Sequence, residues 1–173
     1  MKDIVKDLGF LSLGTRFKRI GDLLQAQAQA MLAASGMDMP AAHFPLLAAL
    51  DTLGALSDSE LGQAVGVSQP VVSRSLRGLE AGGLVQSDVA SNDRRVRRIG
   101  LSRKGRELVK RARRDVWPGI EAAVAQACEA LHGPLLDQLA ALETSLQQRP
   151  LLQRAAGAAE APSPVPGRRR VRP

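Results

Sequence analysis

The chain is poor in aromatic residues and in cysteine. Its 173 residues include three phenylalanines, one tryptophan and no tyrosine. Proteins that hold single-stranded nucleic acid or RNA loops use aromatic side chains as stacking platforms, so the shortage argues against both of those classes. The single cysteine excludes an intrachain disulfide bond and favours a reducing compartment.

Signals for a membrane span or for catalysis are also missing. No apolar run approaches the length of a membrane span, and the start, MKDIVKDLGF, lacks the apolar core and cleavage site of a signal peptide. We therefore expect a cytoplasmic protein. No metal-ligand spacing, phosphate-binding glycine loop or nucleophile elbow occurs in the chain. His43 is interpreted as a capping or surface residue, and His132 as a residue at a helix end. Accordingly, we expect no enzyme activity, no metal and no cofactor.

Positive charge is what the chain has in excess. The formal net charge is +7 and the sequence pI is about 10.7, which suits a polyanionic partner. The basic residues are concentrated between Arg94 and Arg114. We expect nucleic-acid contact from the arginines of residues 94–98, and solvent exposure or long-range attraction from Arg111, Arg113 and Arg114. A solvated, charged helix face is the alternative.

Two short helices joined by a tight turn are predicted ahead of this basic segment. Ser57 and Glu60 have the spacing of a capping box, and Gly66 suits the end of the first helix. Ser68 begins the second helix. A turn this short forces the helices to cross steeply, as in a helix-turn-helix. The expected core-facing residues are Leu61, Ala64 and Val65 in the first helix and Val72, Leu76 and Leu79 in the second.

The second predicted helix, residues 68–82, leaves a polar and basic face free of core residues. This is the pattern of a helix that enters the DNA major groove. Glutamine reads adenine edges and arginine reads guanine edges, so Gln69 and Arg74 are the expected specificity residues. The expected base or phosphate contacts on this helix are Ser68, Gln69, Pro70, Ser73, Arg74 and Arg77.

A two-stranded hairpin is predicted next. Leu84 and Val85 begin one strand, the run SDVASND has turn chemistry, and Ile99 and Leu101 face inward on the return strand. Residues 55–56 are expected to add a short strand to the same sheet. The pattern as a whole predicts a wing that follows a helix-turn-helix.

The tip and one edge of this wing are crowded with arginines. Asp93 is expected to orient Arg95 through a charge-assisted hydrogen bond, and either Arg94 or Arg95 then reaches the minor groove. Arg97 and Arg98 are expected to hold phosphates.

The runs LSDSELGQAVGVSQPVVSRSLRGLEAGGLV and NDRRVRRIGLSRKG resemble the multiple-antibiotic-resistance regulator (MarR) family of winged-helix transcription factors. The order of the flanking elements extends the resemblance over roughly residues 5–148. It implies a dimer in which the first and last helices of two subunits interdigitate, and aromatic or phenolic effectors bound near the junction with the DNA-binding domain. The most specific residues are those of the wing and the segment after it: Asp93, Arg95, Leu101, Ser102 and Gly105.

Two residues depart from the family pattern. Gly78 lies inside the second helix, where glycine costs about 1 kcal/mol relative to alanine. Ser75 takes a position that a larger apolar side chain usually fills. Both residues are expected to lower the stability of the helix, and neither departure removes a side chain expected to face DNA.

The expected fold is mainly α with a small β-wing: a winged helix-turn-helix flanked by N- and C-terminal dimerisation helices. The other helices are predicted at residues 4–34, 40–53, 103–131 (capped by Ser102 and interrupted at Pro118) and 135–148. The expected divisions are an N-terminal dimerisation helix (1–38), the winged helix-turn-helix (39–105), C-terminal dimerisation helices (106–149) and a disordered basic tail (150–173).

The terminal helices carry more apolar surface than a small winged helix can cover. A symmetric homodimer is the simplest way to bury it, and a monomeric helical cap folded over the winged helix is the alternative. Trp117 is a candidate wall of an effector cleft, although a core aromatic is the favoured interpretation. Cys128 is interpreted as a buried structural thiol, with a redox switch as the alternative.

The sequence thus predicts a sequence-specific regulator that binds double-stranded DNA as a homodimer on a pseudo-palindromic operator. It is expected to be a repressor that responds to a small aromatic or apolar anion. A winged helix used for protein interaction and a non-specific architectural DNA binder remain alternatives. A basic recognition helix and a basic wing favour DNA over protein as the partner.

Overall fold

The computed structural model describes residues 2–37, 39–87 and 97–154. Over these residues the protein is mainly helical with one two-stranded antiparallel sheet, which confirms the predicted fold class. No helix in this part of the chain is long and apolar enough to cross a membrane. In chain order the elements are α1 (Ile4–Asp7), α2 (Leu13–Ala34), α3 (Phe44–Leu53), α4 (Asp58–Val65), α5 (Gln69–Ala81), β1 (Val85–Ser87), β2 (Ile99–Leu101), α6 (Arg103–Asp115), α7 (Trp117–Cys128) and α8 (Leu135–Gln148).

The chain divides into two compact units, and the second begins at Ala127. The first unit contains the hydrophobic core, to which α2 to α6 and both strands contribute. The side chains at its centre are almost completely removed from water, so they supply most of the hydrophobic stabilisation of this unit. They include Leu32, Leu46, Leu47, Leu61, Val72, Leu79, Ile99 and Val109.

The predicted single helix over residues 4–34 is wrong in its first part. The chain forms α1, then a 3-10 turn at Gly9–Ser12, and only then α2. Gly9 takes a positive φ of 54°, a conformation that glycine adopts readily. The Ser12 hydroxyl fixes the break by donating hydrogen bonds to the carbonyls of Val5 (2.6 Å) and Gly9 (3.2 Å).

The helix predicted after the wing is interrupted, as the sequence indicated. The break falls at Val116, between α6 and α7, and Pro118 lies in the first turn of α7, where a missing N–H is tolerated. The predicted end near residue 131 is three residues too late, because α7 stops at Cys128. There the chain turns, with the Leu131 amide donating to the Cys128 carbonyl at 2.9 Å and Gly133 at a φ of 81°.

Residues 151–154 form a helical turn that the sequence did not predict. Disorder was expected from residue 150 onward, and this is wrong for residues 151–154, which are helical. The Pro150 carbonyl accepts hydrogen bonds from the amides of Gln153 (3.0 Å) and Arg154 (3.2 Å). The Arg154 guanidinium also donates to the Ser145 hydroxyl at 2.8 Å, which ties the turn back to α8. Residues 155–173 lie outside the described part of the chain.

Candidate nucleic-acid interface

The first helix of the predicted pair is capped as expected. The Ser57 hydroxyl accepts from the Glu60 amide (3.3 Å), and the Glu60 carboxylate accepts from the Ser57 amide (2.8 Å). The hydrogen bond from the Ser57 amide holds the pKa of Glu60 below its ordinary value. Gly66 ends α4 with a φ of 72°. This confirms the capping box and the tight turn.

One core residue of α4 was misassigned. Ala64 was expected to face inward, but it is exposed, and Gly62 is buried instead. A Cβ built on Gly62 would lie 3.0 Å from the Val67 carbonyl oxygen, so a larger residue would push the turn slightly away from α4. Apolar periodicity does not register a glycine, and the pattern therefore selected Ala64 in place of Gly62, while Leu61 is buried as predicted.

The second helix, α5, packs against the core through the predicted apolar stripe. Val72, Leu76 and Leu79 are all buried in the core. Ser68 occupies the N-cap position in an extended conformation, although its hydroxyl makes no cap hydrogen bond. Its carbonyl instead accepts from the amides of Val71 (2.9 Å) and Val72 (3.1 Å).

The opposite side of α5 carries the polar and basic residues predicted to contact DNA. Gln69, Arg74 and Arg77 are exposed there. Ser73 is half-buried, and its hydroxyl donates to the Asp58 carboxylate of α4 at 3.3 Å. The open face is therefore defined by long side chains, while Ser73 links the two helices.

The wing sheet has the predicted composition. β1 and β2 are antiparallel, with Val85 opposite Leu101 and Ser87 opposite Ile99. Leu56 pairs with Ile99 on the other side of β2 as an isolated β-bridge, so the addition to the sheet expected at residues 55–56 is limited to Leu56.

Two wing arginines that were expected to hold phosphates make contacts within the chain. The Arg97 guanidinium forms an ion pair with Glu80, near the end of α5, and its Nε donates to the Ser87 hydroxyl at 3.1 Å. Arg98 donates from Nε and Nη2 to the Ala55 carbonyl at 3.1 and 2.7 Å. Sequence reasoning missed these contacts because they join residues that are far apart in the chain.

The wing tip was predicted to contain further contact residues. Asp93, Arg94 and Arg95 lie outside the described residues, so their expected roles stay predictions.

The start of α6 is joined to the end of α5. Ser102 caps α6, as predicted, by accepting from the Gly105 amide at 3.0 Å, and its hydroxyl donates to the Gly83 carbonyl at 2.7 Å. Lys104 donates to the Gly82 carbonyl at 2.8 Å. A Cβ built on Gly105 would lie 2.0 Å from the Leu84 carbonyl oxygen. Only glycine therefore permits this contact between α6 and the segment that leads into β1.

Further along α6, exposed basic side chains bind other helices. Arg111 donates to the Ser35 carbonyl at the end of α2 (2.7 Å), and Arg113 pairs with Asp51 of α3 (3.0 Å). Arg113 also lies over the Trp117 ring, 5.6 Å from its centroid. These residues thus combine the predicted exposure with a role in holding α6 against α2 and α3.

Trp117 is half-buried and lies edge-on to Phe44, with ring centroids 6.0 Å apart. This packing fits the core-aromatic interpretation, and a role in an effector cleft stays a prediction. Cys128, the last residue of α7, is partly buried and free of any disulfide. Within the described residues, no group of three or more His, Cys, Asp or Glu side chains is arranged to hold a metal ion.

His43 was interpreted as a capping or surface residue. It lies at the N-cap of α3, makes no cap hydrogen bond and is half-buried, and burial lowers its pKa.

Comparison with known proteins shows which family the helix-turn-helix region resembles. Residues 37–96 match the model of the MarR family. The matched segment includes α3, α4, α5 and the first strand of the wing. A MarR-family transcriptional regulator from Silicibacter pomeroyi is 28% identical; the alignment covers 84% of this chain and 96% of that one, with a TM-score of 0.57.

Two further solved structures share the fold. A cysteine-to-serine mutant of MarR from E. coli, in complex with operator DNA, is 20% identical, covers 85% of this chain and 98% of its own, and has a TM-score of 0.64. BpsR from Bordetella bronchiseptica, whose DNA binding is regulated by 6-hydroxynicotinic acid, is 23% identical, covers 79% and 91%, and has a TM-score of 0.58. Together with the match over the helix-turn-helix, these likenesses support a DNA-binding transcription regulator with the fold of MarR-family proteins.

Proposed function

We propose that the protein is a ligand-responsive repressor that binds a pseudo-palindromic operator as a homodimer in the cytoplasm. The observation that carries the DNA-binding part is the open face of α5. Val72, Leu76 and Leu79 fix the helix in the core, and this leaves Arg74 and Arg77 exposed on the other side. A helix that is packed against the core on one side and exposes long basic side chains on the other is suited to bind in the DNA major groove.

In the proposed complex, some residues contact base edges and determine sequence preference, while others contact the phosphate backbone and hold the protein in place. Gln69 and Arg74 read base edges, while Arg77 and the N-terminal residues Ser68 and Pro70 approach the phosphate backbone. In the wing, Asp93 orients Arg95, and Arg94 or Arg95 enters the minor groove. For Arg97 and Arg98, a phosphate contact would compete with the intrachain contacts described above.

Exposed apolar side chains support the homodimer. Phe10 is 92% exposed and Leu11 is 85% exposed in the first unit, and Leu136 is 80% exposed in the second. Large apolar side chains exposed to this degree suggest that a partner covers them in each unit. A second copy of the chain is the simplest partner, because a two-fold axis buries the same surface on both subunits.

Regulation is proposed to come from a small aromatic or apolar anion that binds near Trp117. BpsR, a protein of the same fold, is regulated by an aromatic acid. An effector releases DNA only if it favours a spacing of the two recognition helices that DNA does not, since equal affinity for both states shifts nothing. Oxidation of Cys128 is the competing switch.

Selection of duplexes from a random pool by the full-length protein tests the proposal. A palindrome with half-sites about one helical turn apart, roughly 34 Å, is expected for a dimer. Salt-dependent binding without an enriched sequence would indicate an architectural DNA binder instead. Absence of duplex binding at low salt would leave protein interaction as the role of the winged helix.

A further inference from the structure

Arg98 lies immediately before β2 and is held by the segment between α3 and α4. Its Nε and Nη2 both donate to the Ala55 carbonyl, and Nη2 also lies 3.4 Å from a carboxylate oxygen of Glu60. The side chain is 36% exposed, so it is partly withdrawn from solvent. Two charge-assisted hydrogen bonds to one acceptor make a directional contact rather than a loose ion pair.

The acceptor itself is held in place. Gly54 has φ 81° and ψ −156°, a region open almost only to glycine, and its amide donates to the Leu50 carbonyl at 3.1 Å. Leu56 then exchanges two backbone hydrogen bonds with Ile99, at 2.8 and 3.0 Å. Adjacent residues before α4 therefore bind adjacent residues at the start of β2, one pair through the backbone and the other through the Arg98 side chain.

The carboxylate near Arg98 also belongs to the capping box of α4. Glu60 accepts from the Ser57 amide at 2.8 Å and from the Ser57 hydroxyl at 2.9 Å. In the same first turn, Asp58 accepts from Ser73 of α5 at 3.3 Å. The first turn of α4 therefore makes polar contacts with the base of the wing through Glu60 and with α5 through Asp58.

We propose that Arg98 is a positioning residue that fixes the wing relative to α5, rather than a residue that acts by contacting phosphate. The inference rests on the proposed function, since its effect is read out through DNA binding. A phosphate contact depends on charge and adds to the counterions released on binding. A positioning contact depends instead on the two-pronged geometry at Ala55 and leaves the number of released counterions unchanged.

The experiment measures the affinity of the full-length protein for the duplex that the wild type selects, as a function of salt concentration. Arg98→Gln should bind roughly tenfold more weakly, the order expected when charge-assisted hydrogen bonds are lost, with a wild-type salt slope. Arg98→Lys should remain weak despite its charge, because an ammonium group cannot reproduce the planar fork of a guanidinium. Arg77→Ala, at a residue proposed to approach phosphate, serves as the charge reference and should lower the slope by about one unit per subunit.

A second variant tests the same contact from the other side. Glu60→Gln keeps a side chain that can complete the capping box but removes the negative charge beside Arg98. We expect weaker binding, and we expect the double variant Glu60→Gln/Arg98→Gln to bind no more weakly than Arg98→Gln alone, because both changes break one network. Val109→Ala, a core change in α6, controls for lost stability and should bind normally at temperatures where it is folded.

The outcomes separate the inference from the function it rests on. A salt slope that falls by about one unit in Arg98→Gln, with affinity restored by Arg98→Lys, would make Arg98 a phosphate contact and overturn the proposal. Unchanged affinity in Arg98→Gln would overturn it as well. Failure of the wild type to bind any duplex would overturn the proposed function itself.

Discussion

The imidazole of His43 fills the space that a side chain at Gly78 would need. A Cβ built at Gly78 would lie 3.2 Å from Cε1 of His43, closer than the usual distance between packed carbon atoms. Gly78 lies in α5, the proposed recognition helix, and His43 lies at the start of α3. The glycine that weakens α5 as an isolated helix therefore lets α3 approach it closely.

This contact predicts an unusual response to a helix-favouring change. Gly78→Ala should gain little or no stability, because the usual gain of about 1 kcal/mol is offset by displacement of the imidazole. In a His43→Ala background the same change should recover most of that gain. Urea unfolding of the four proteins in this double-mutant cycle measures the difference. An equal effect of Gly78→Ala in both backgrounds would contradict the explanation.

The burial of His43 also predicts a pH dependence of folding stability. Burial lowers the pKa of His43 below 6.5, so the unfolded chain binds a proton more readily than the folded chain does. The stability contributed by the neutral imidazole is present above pH 6.5 and is lost as pH falls through 6.5 towards the lower pKa of the folded state. The free energy of unfolding should therefore fall more in the wild type than in His43→Gln between about pH 7.5 and about pH 5.5. Parallel pH profiles would exclude a contribution from His43.

Arg74 is expected to read a base. Arg74→Ala should cost about 1–3 kcal/mol of binding free energy and relax the sequence preference at one position in each half-site. Arg114→Ala is the matched control, because Arg114 is exposed and already paired with Asp115 at 2.6 Å. Competition binding with a set of single-base operator variants measures the preference. Loss of affinity with an unchanged preference would make Arg74 a phosphate contact.

A charge on the exposed apolar surface should break the dimer. Phe10→Asp places a carboxylate where a phenyl ring is 92% exposed in the protomer. If a second subunit covers this ring, the buried charge has no partner and association weakens strongly. Sedimentation at micromolar concentration should show a dimer for the wild type and a monomer for Phe10→Asp, while Gln63→Glu on α4 should remain dimeric. A monomeric wild type would refute the dimer.

The single tryptophan reports on the proposed effector site. Benzoate and 6-hydroxynicotinic acid, used as probes, should change the fluorescence of Trp117 over the same concentration range in which they release DNA. A coupling free energy of about 1–3 kcal/mol would be typical. Cys128→Ser should respond like the wild type, and peroxide should leave DNA binding unchanged. Release by peroxide that disappears in Cys128→Ser would replace the effector with an oxidation switch.

The parts of the fold that local chemistry specifies were predictable from sequence. The capping box at Ser57, the turn at Gly66 and the cap at Ser102 each depend on residues within a few positions of one another, and all three are present. The bounds of α8 were predicted correctly because an apolar period lies between a Gly-Pro turn and a second proline, Pro150.

What the sequence could not reveal depends on contacts between distant segments. The guanidiniums of Arg97 and Arg98 look like free phosphate ligands in a basic run, and only the fold brings Glu80 and Ala55 to them. The same applies to the packing of His43 against Gly78. In both cases the pairs are too far apart in the chain for periodicity or capping patterns to detect.

The close contact between Gly105 and the Leu84 carbonyl couples the position of α6 to that of the base of the wing. No side chain lies between the two backbones to absorb a displacement, so a movement of α6 is passed directly to the segment that leads into β1. The helix spans 13 residues, about 20 Å. A tilt of about 10° applied at its far end moves the joint by roughly 3 Å, which is close to the rise of one base pair. If the wing contacts DNA as proposed, a small tilt of α6 would therefore be enough to move the base of the wing by about one base-pair step.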